Sequence, residues 1–340
     1  MIYPETNLCV TLAKHPAGQV AESDFTLETV PLRPLEAGEF LIANHYISID
    51  PYVRPRLNIN TEYVNPIKVG DVITSEVTGE IIASRNPNFS VGDRVYAYSG
   101  WKKFHIGSDK EFLIKKLPHT QLPESVFLNA AGTSGRSAYF GIHRIAHPKP
   151  GETLVVSAAS GSVGSIAGQI GKLAGCNVVG IAGSDEKCRY VVEVLGFDHC
   201  VNYKAPDFRD QLRKACPRGI DIYFENVGGP VSVVVARYLN EGARVPICGS
   251  VANYDSDPSA AVSGPADFFS SLPEAPVNRF FLVTEWFKDY QESDTWLINA
   301  LEKGIIKHKE TITQGLEAAP RIFVDLMNSR HFGKQVIQII

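Results

Sequence analysis

The chain has little of what marks secreted, membrane-bound or nucleic-acid-binding proteins. Its 340 residues include only six cysteines, at 9, 176, 188, 200, 216 and 248, with no Cys-x-x-Cys among them. That scatter excludes a disulfide framework and predicts reduced, mostly buried thiols of a cytoplasmic protein. Basic residues do not exceed acidic ones, 33 against 37, so no electrostatic footprint for nucleic acid is present. No apolar run approaches the roughly 20 residues that cross a bilayer, and no membrane association is expected. The opening Met1-Ile-Tyr-Pro-Glu-Thr-Asn7 lacks the basic start and apolar core of a signal peptide. A Gly-x-Ser-x-Gly elbow is missing, which argues against a Ser-His-Asp hydrolase. The first 120 residues offer Cys9 and scattered histidines only, too few for the ligand sets of a zinc dehydrogenase, so no metal site is expected.

The length suits two domains. Residues 7 to about 120 read as β-rich: Phe40-Leu-Ile-Ala-Asn-His-Tyr-Ile47 and Val77-Thr-Gly-Glu-Ile-Ile-Ala83 are short apolar runs broken by Gly, Pro and Asn turns. Such punctuation predicts a barrel-like domain. From about Pro123 strands and helices alternate, as in a doubly wound parallel sheet. Phe280–Thr284 reads as a further strand and a possible pairing edge, and residues 293–303 as a helix. Gln335–Ile340 alternates like a strand that rejoins the first domain. The expected fold is therefore α/β, a Rossmann-type parallel sheet over 125–299 inserted in a discontinuous β-rich, GroES-like barrel domain of 1–124 and 300–340.

The most informative stretch is Leu154 to Ala174. An apolar strand runs into a turn of small residues and then a helix, with the spacing Ala159-x-Gly161-x-x-Gly164. This is a dinucleotide fingerprint with alanine in the first position: Gly161 would let backbone approach a pyrophosphate, and Gly164 would let helix pack close on strand. The phosphates would sit on the helix N-terminus, beside Ser162 and Val163, where unpaired N–H groups and the helix dipole favour negative charge. A second strand, Asn177–Ala182, completes the βαβ unit. It ends Ala182-Gly183-Ser184 without the carboxylate that grips ribose hydroxyls in diphosphonucleotide sites. Lys187 and Arg189 follow, suited instead to a 2′-phosphate.

The runs Gly183-Ser-Asp-Glu-Lys-Cys-Arg189, Leu195-Gly-Phe-Asp198, Asn202-Tyr-Lys204 and Phe224-Glu-Asn-Val-Gly-Gly229 resemble the zinc-independent medium-chain dehydrogenase/reductases. Within them the chain looks like the group of prostaglandin and alkenal double-bond reductases, including its bacterial curcumin-reducing branch. Ser48-Ile-Asp-Pro-Tyr-Val-Arg54, Gly132-Thr-Ser-Gly-Arg-Ser-Ala-Tyr139 and Phe332-Gly-Lys-Gln-Val336 echo the same family. The resemblance implies NADPH as cofactor, a small-molecule enone or alkenal as substrate, and a homodimer. It implies that Gly161 to Gly164 hold the pyrophosphate, with Gly183 and Ser184 at the adenosine end. Lys187 and Tyr203 would contact the 2′-phosphate, Asn226 the nicotinamide ribose, and Cys248, Gly249 and the backbone to Tyr254 the nicotinamide. Some positions depart from the pattern: His331 stands where relatives have Asn, Val283 where they have an aromatic in a strand facing the nicotinamide, and Thr133-Ser134 and Arg136 where they have more apolar residues or proline.

Hydride addition to the β-carbon of an enone builds negative charge on the carbonyl oxygen, so a donor must point there. A phenol, protonated up to a pKa near 10, suits the task. By resemblance Tyr254 is the first candidate, with Tyr63 and Tyr52 of the first domain as second choices. Two other functions fit the same cofactor unit: a quinone reductase, and a non-catalytic NADPH-binding sensor.

Overall fold

The computed structural model describes residues 3–59, 66–255 and 264–339. The described residues fall into two compact units, one running to Leu128 and resuming at Glu310, the other spanning Asn129 to Lys309.

The first unit begins with strands β1 (Thr6–Leu12), β2 (Phe25–Pro31) and β3 (Glu39–Ile49) and the short helix α1 (Val53–Arg56). It continues with β4 (Glu76–Ser84), β5 (Arg94–Tyr98), β6 (Phe104–Ser108) and β7 (Ile114–Lys116). The second unit carries α2 (Thr133–Phe140), β8 (Thr153–Val156), α3 (Ser162–Leu173), β9 (Asn177–Ala182), α4 (Asp185–Glu193) and β10 (His199–Asn202). After these come α5 (Phe208–Ala215), β11 (Ile220–Phe224), α6 (Gly229–Ala236), β12 (Leu239–Ile247), α7 (Pro265–Ser270), β13 (Val277–Phe280) and α8 (Tyr290–Glu302). The chain then returns to the first unit with β14 (Glu310–Gln314), α9 (Ala319–Met327) and β15 (Lys334–Gln338).

In the first unit β1 and β2 form a hairpin, and a larger sheet runs β14-β15-β3-β4-β5-β7 with β6 also on β3. Between β1 and its surroundings the ladder is reduced to single bridges, Cys9 to Lys102 and Thr11 to Val72. The core is apolar and aromatic: Trp101 is fully buried, its ring 5.6 Å from Phe25 and 5.7 Å from Phe323 on α9. Trp101 is thus a packing residue. The tail strand is held by a buried charge pair as well as by its ladder. Lys334 on β15 donates to Asp50 beyond β3, and the Ser48 hydroxyl donates to the same carboxylate. Two sequence motifs nearly 300 residues apart therefore complete each other.

In the second unit six parallel strands stand in the order β10-β9-β8-β11-β12-β13. Numbered from β8, that is 3-2-1-4-5-6, the doubly wound order whose direction reverses between β8 and β11. Glycines on α3 allow it to lie close on the sheet: a Cβ at Gly171 would sit 2.3 Å from the Leu154 side chain, and one at Gly168 would overlap the Phe197 ring.

Two expectations shift. The return to the first unit lies near residue 309 rather than 300, because Gln169 on α3 clamps the Lys307 backbone, accepting its N–H and donating to its carbonyl, both at 2.8 Å. The expected strand Phe280–Thr284 is instead Val277–Phe280, and Val283 opens a 3-10 turn over Val283–Asp289. Glu285 causes this. Its carboxylate accepts the Leu282 N–H at 2.8 Å and pairs with Arg279, which curls the chain out of the sheet.

Candidate functional site

Ligands of a doubly wound sheet gather beyond the carboxyl ends of the strands, at the point where strand order reverses. Here that point is bounded by the loop after β8, residues 157–161, and the loop after β11, residues 225–228. The loops after β9 and β12 flank it.

After β8 the backbone makes a tight turn, with the Gly161 N–H donating to the Ala158 carbonyl at 2.9 Å. Ala158 takes a left-handed conformation at φ 51°. Ala159, the fingerprint position, is buried with its backbone on Ile181, and a Cβ on Gly180 would meet its methyl at 2.8 Å. Gly164 has no room for a side chain, since a Cβ would come within 2.4 Å of the Ala158 carbonyl oxygen. Gly161 caps α3, and Gly161, Ser162 and Val163 are partly exposed. The first-turn N–H groups have no acceptor within the helix and carry the positive end of its dipole, which fits a pyrophosphate.

After β9, Gly183 leads to Ser184, whose hydroxyl caps α4 by accepting the Lys187 N–H at 3.2 Å. The Tyr203 ring covers Gly183, within 3.1 Å of where a Cβ would lie. Partial burial depresses the Lys187 ammonium pKa, and repulsion from Lys204 depresses it further. Two cations drawn together beside a helix N-terminus suit a dianionic 2′-phosphate. Asp185, in the first turn of α4, accepts from Asn202 at 2.8 Å. Arg189 is exposed farther along α4.

After β11, Glu225 is fully buried and Asn226 is fixed through Ser157: its N–H donates to the Ser157 hydroxyl and its amide to the Ser157 carbonyl, both at 2.8 Å. The Cys248 N–H beyond β12 donates to the Glu225 carbonyl at 2.8 Å. The Ala252 N–H donates to the Val227 carbonyl at 2.9 Å, which binds this segment to the β11 loop. Tyr254 ends the segment, and its hydroxyl folds back over Gly249, 3.2 Å from where a Cβ would stand. Burial pushes the Cys248 thiol up to about 12, partly offset by a hydrogen bond from Ser137, so it stays a neutral thiol.

Gly161, Ser162, Val163, Gly164, Gly183, Ser184, Lys187, Tyr203, Asn226, Cys248, Gly249 and Tyr254 thus line one end of one sheet. Val283 belongs to the same unit but starts a helical turn. His331 precedes β15 in the first unit; Tyr52, at the start of α1 in the same unit, is half-buried beside Glu76 and Tyr98, and burial of its hydroxyl holds that group's pKa well above 10. Tyr63 lies outside the described residues. Lys204, Ser157 and Glu225 lie at the same end of the sheet, and sequence reasoning does not single them out. Among the described residues no group of three or more His, Cys, Asp or Glu could hold a metal ion, and no helix is long and apolar enough to cross a membrane.

The family model described as the N-terminal domain of oxidoreductase matches residues 9–115, and that described as zinc-binding dehydrogenase matches 162–291. The chain is 40% identical over 334 residues to the NADPH-dependent curcumin reductase of Escherichia coli, covering 96% of this chain and 95% of that protein. It is 34% identical over 339 residues to the NADP(+)-dependent 2-alkenal reductase of Nicotiana tabacum, covering 98% of each. The crystal structure of CurA from Vibrio vulnificus in complex with NADPH superposes with a TM-score of 0.91 at 39% identity, covering 98% of this chain and 99% of that one.

Proposed function

The chain belongs to the zinc-independent medium-chain dehydrogenase/reductase family, in the group of curcumin, prostaglandin and alkenal reductases, and from that membership we infer how its site works. The protein is an NADPH-dependent reductase of the carbon–carbon double bond of α,β-unsaturated ketones and aldehydes. Bound NADPH supplies the hydride that the β-carbon of the substrate receives. The chain's own residues bind, orient and handle the proton.

Gly161, Ser162, Val163 and Gly164 hold the pyrophosphate on the N-terminus of α3. Ser184, Lys187, Tyr203 and Lys204 take the 2′-phosphate, and Asn226 with Cys248 and Gly249 lines the nicotinamide end. The Tyr254 hydroxyl donates a hydrogen bond to the carbonyl oxygen, where enolate charge builds, and the α-carbon then gains a proton, from the phenol or from water. The observation that carries this reading is the Tyr254 hydroxyl folded over Gly249, at the carboxyl end of the sheet beside the reversal point. A second copy pairs along β13, where Val277 and Phe280 are exposed, to give a homodimer. Six free thiols accord with a cytoplasmic location.

The test is a panel of enones, dienones and simple quinones assayed with NADPH and NADH. Enone turnover with NADPH is expected to exceed quinone turnover. The reverse order would make the enzyme a quinone reductase, and cofactor binding without any turnover would make it a sensor. Gel filtration at micromolar concentration checks the dimer.

A further inference from the structure

Glu225 has no accessible surface, yet its carboxylate is surrounded by donors alone. Oε1 accepts the Ser157 hydroxyl at 3.0 Å, the Tyr223 hydroxyl at 3.0 Å, the Val227 N–H at 2.7 Å and the Gly228 N–H at 3.0 Å. Oε2 accepts the Ser232 hydroxyl. A carboxylate can accept from all of these, and all five donors are neutral. Among the described residues no Lys, Arg or His pairs with it. Such hydrogen bonds satisfy the oxygens but leave a net negative charge in a low-dielectric interior, where its field is poorly screened. The residue also ties the two loops together, since its own carbonyl accepts the Cys248 N–H and the Asn226 N–H rests on its partner Ser157.

We propose that the Glu225 carboxylate biases the bound cofactor toward its oxidised form, acting as a fixed charge beneath the segments that line the nicotinamide. The inference rests on the assignment of Asn226, Cys248 and Gly249 to that end of the cofactor. The reduced ring is neutral and the oxidised ring carries one positive charge, so a buried negative charge distinguishes the two where neutral contacts do not. The same bias lowers the barrier to hydride departure, because positive charge grows on the ring as the reaction proceeds. Glu225 touches no reacting atom, and so is a positioning and field-setting residue.

The experiment measures Kd for NADP⁺ and for NADPH by fluorescence quenching in wild type and Glu225→Gln, a near-isosteric change that removes the charge. Affinity for NADP⁺ is expected to fall about tenfold while that for NADPH changes less than threefold. Equal losses for both forms would mean a purely structural role and overturn the proposal, as would no change in the ratio. Gly249→Val, titrated with NADPH and with 2′-phospho-ADP-ribose, separates this from an error in the underlying assignment. Loss of NADPH affinity alone upholds the nicotinamide location. If neither ligand is affected, that location is wrong and the proposal falls with it. Should Glu225→Gln fail to fold, Ser232→Ala, which removes a donor to the carboxylate, is expected to change the ratio of NADP⁺ to NADPH affinity severalfold; an unchanged ratio there overturns the proposal equally.

Discussion

The phenolic oxygen of Tyr254 rests on Gly249, so close that a Cβ at that glycine would stand 3.2 Å from it. The glycine fixes where the hydroxyl can be, and any side chain there must displace it by a few tenths of an ångström. If the hydroxyl is the donor to the enolate oxygen, Tyr254→Phe should lower kcat by ~10²–10³. Gly249→Ala should lower it less, about tenfold, through the shifted phenol. Steady-state kinetics beside an NADPH titration checks this, and near-full kcat in Tyr254→Phe would place the donor elsewhere.

Lys187 and Lys204 repel each other across the end of β9, a cost that an anion between them would relieve. A charged hydrogen bond to phosphate is worth ~1.5–3 kcal/mol. Lys187→Ala should therefore raise the KM for NADPH roughly tenfold to a hundredfold and leave that for NADH nearly unchanged. Equal effects on both cofactors would remove Lys187 from the 2′-phosphate site.

Ala158 carries the left-handed residue of the fingerprint turn, at φ 51°. An L-residue there costs ~1–2 kcal/mol, and glycine avoids it at an entropic cost of ~0.4–1 kcal/mol. Ala158→Gly should raise unfolding stability by about 0.5–1 kcal/mol, read from a urea midpoint at unchanged slope. A loss of stability would mean that the alanine methyl makes contacts worth more than the strain.

The βαβ unit was legible because its signals are local: an apolar strand, small residues at fixed spacing, and a helix with a small face. The strain at Ala158 was not, because alanine does not announce a positive φ and the spacing drew attention to Ala159 instead. Lys204 is legible only as part of a motif, since it meets Lys187 because β10 lies beside β9. Glu225 looks like one letter of a motif because its donors come from the loop after β8, from β11, from the following loop and from α6. Val283 was read as strand from its apolar run, while the side chain that bends it away, Glu285, lies two residues on.

His45 and Glu124 give the first unit a pH-dependent contact, with His45 Nδ1 3.2 Å from the Glu124 carboxylate. The hydrogen bond to Glu124 raises the imidazole pKa, against an opposing loss of solvation. A folded pKa above the unfolded value of about 6.5 stabilises the protein below that pH, and the gain is lost as pH rises through the folded value. Wild type should lose up to about 1 kcal/mol relative to His45→Gln between pH 6 and pH 9. Urea unfolding of both proteins at several pH values isolates this contribution from the other histidines, and parallel profiles would exclude it.

Thiol chemistry offers the last test, because an enzyme that handles electrophilic alkenes exposes its own cysteines to them. Burial raises the thiol pKa of Cys9, of Cys176 to about 11, and of Cys216 and Cys248 to about 12. Cys200 is raised too, chiefly because its thiol donates to Cys188. Cys188 alone moves the other way: the hydrogen bond from Cys200 stabilises its thiolate, and that outweighs its partial burial. The thiolate is the reactive form. Iodoacetamide at pH 7.5 should therefore label Cys188 first, with a rate that rises at lower pH than that of a free thiol near 8.5. Peptide mass mapping over time identifies the site, and Cys188→Ser should abolish the fast phase. Because Cys188 follows Lys187 on α4, bound NADPH should slow the labelling. First labelling at Cys248 would instead mean that the nicotinamide-side thiol is far more open and acidic than its surroundings dictate.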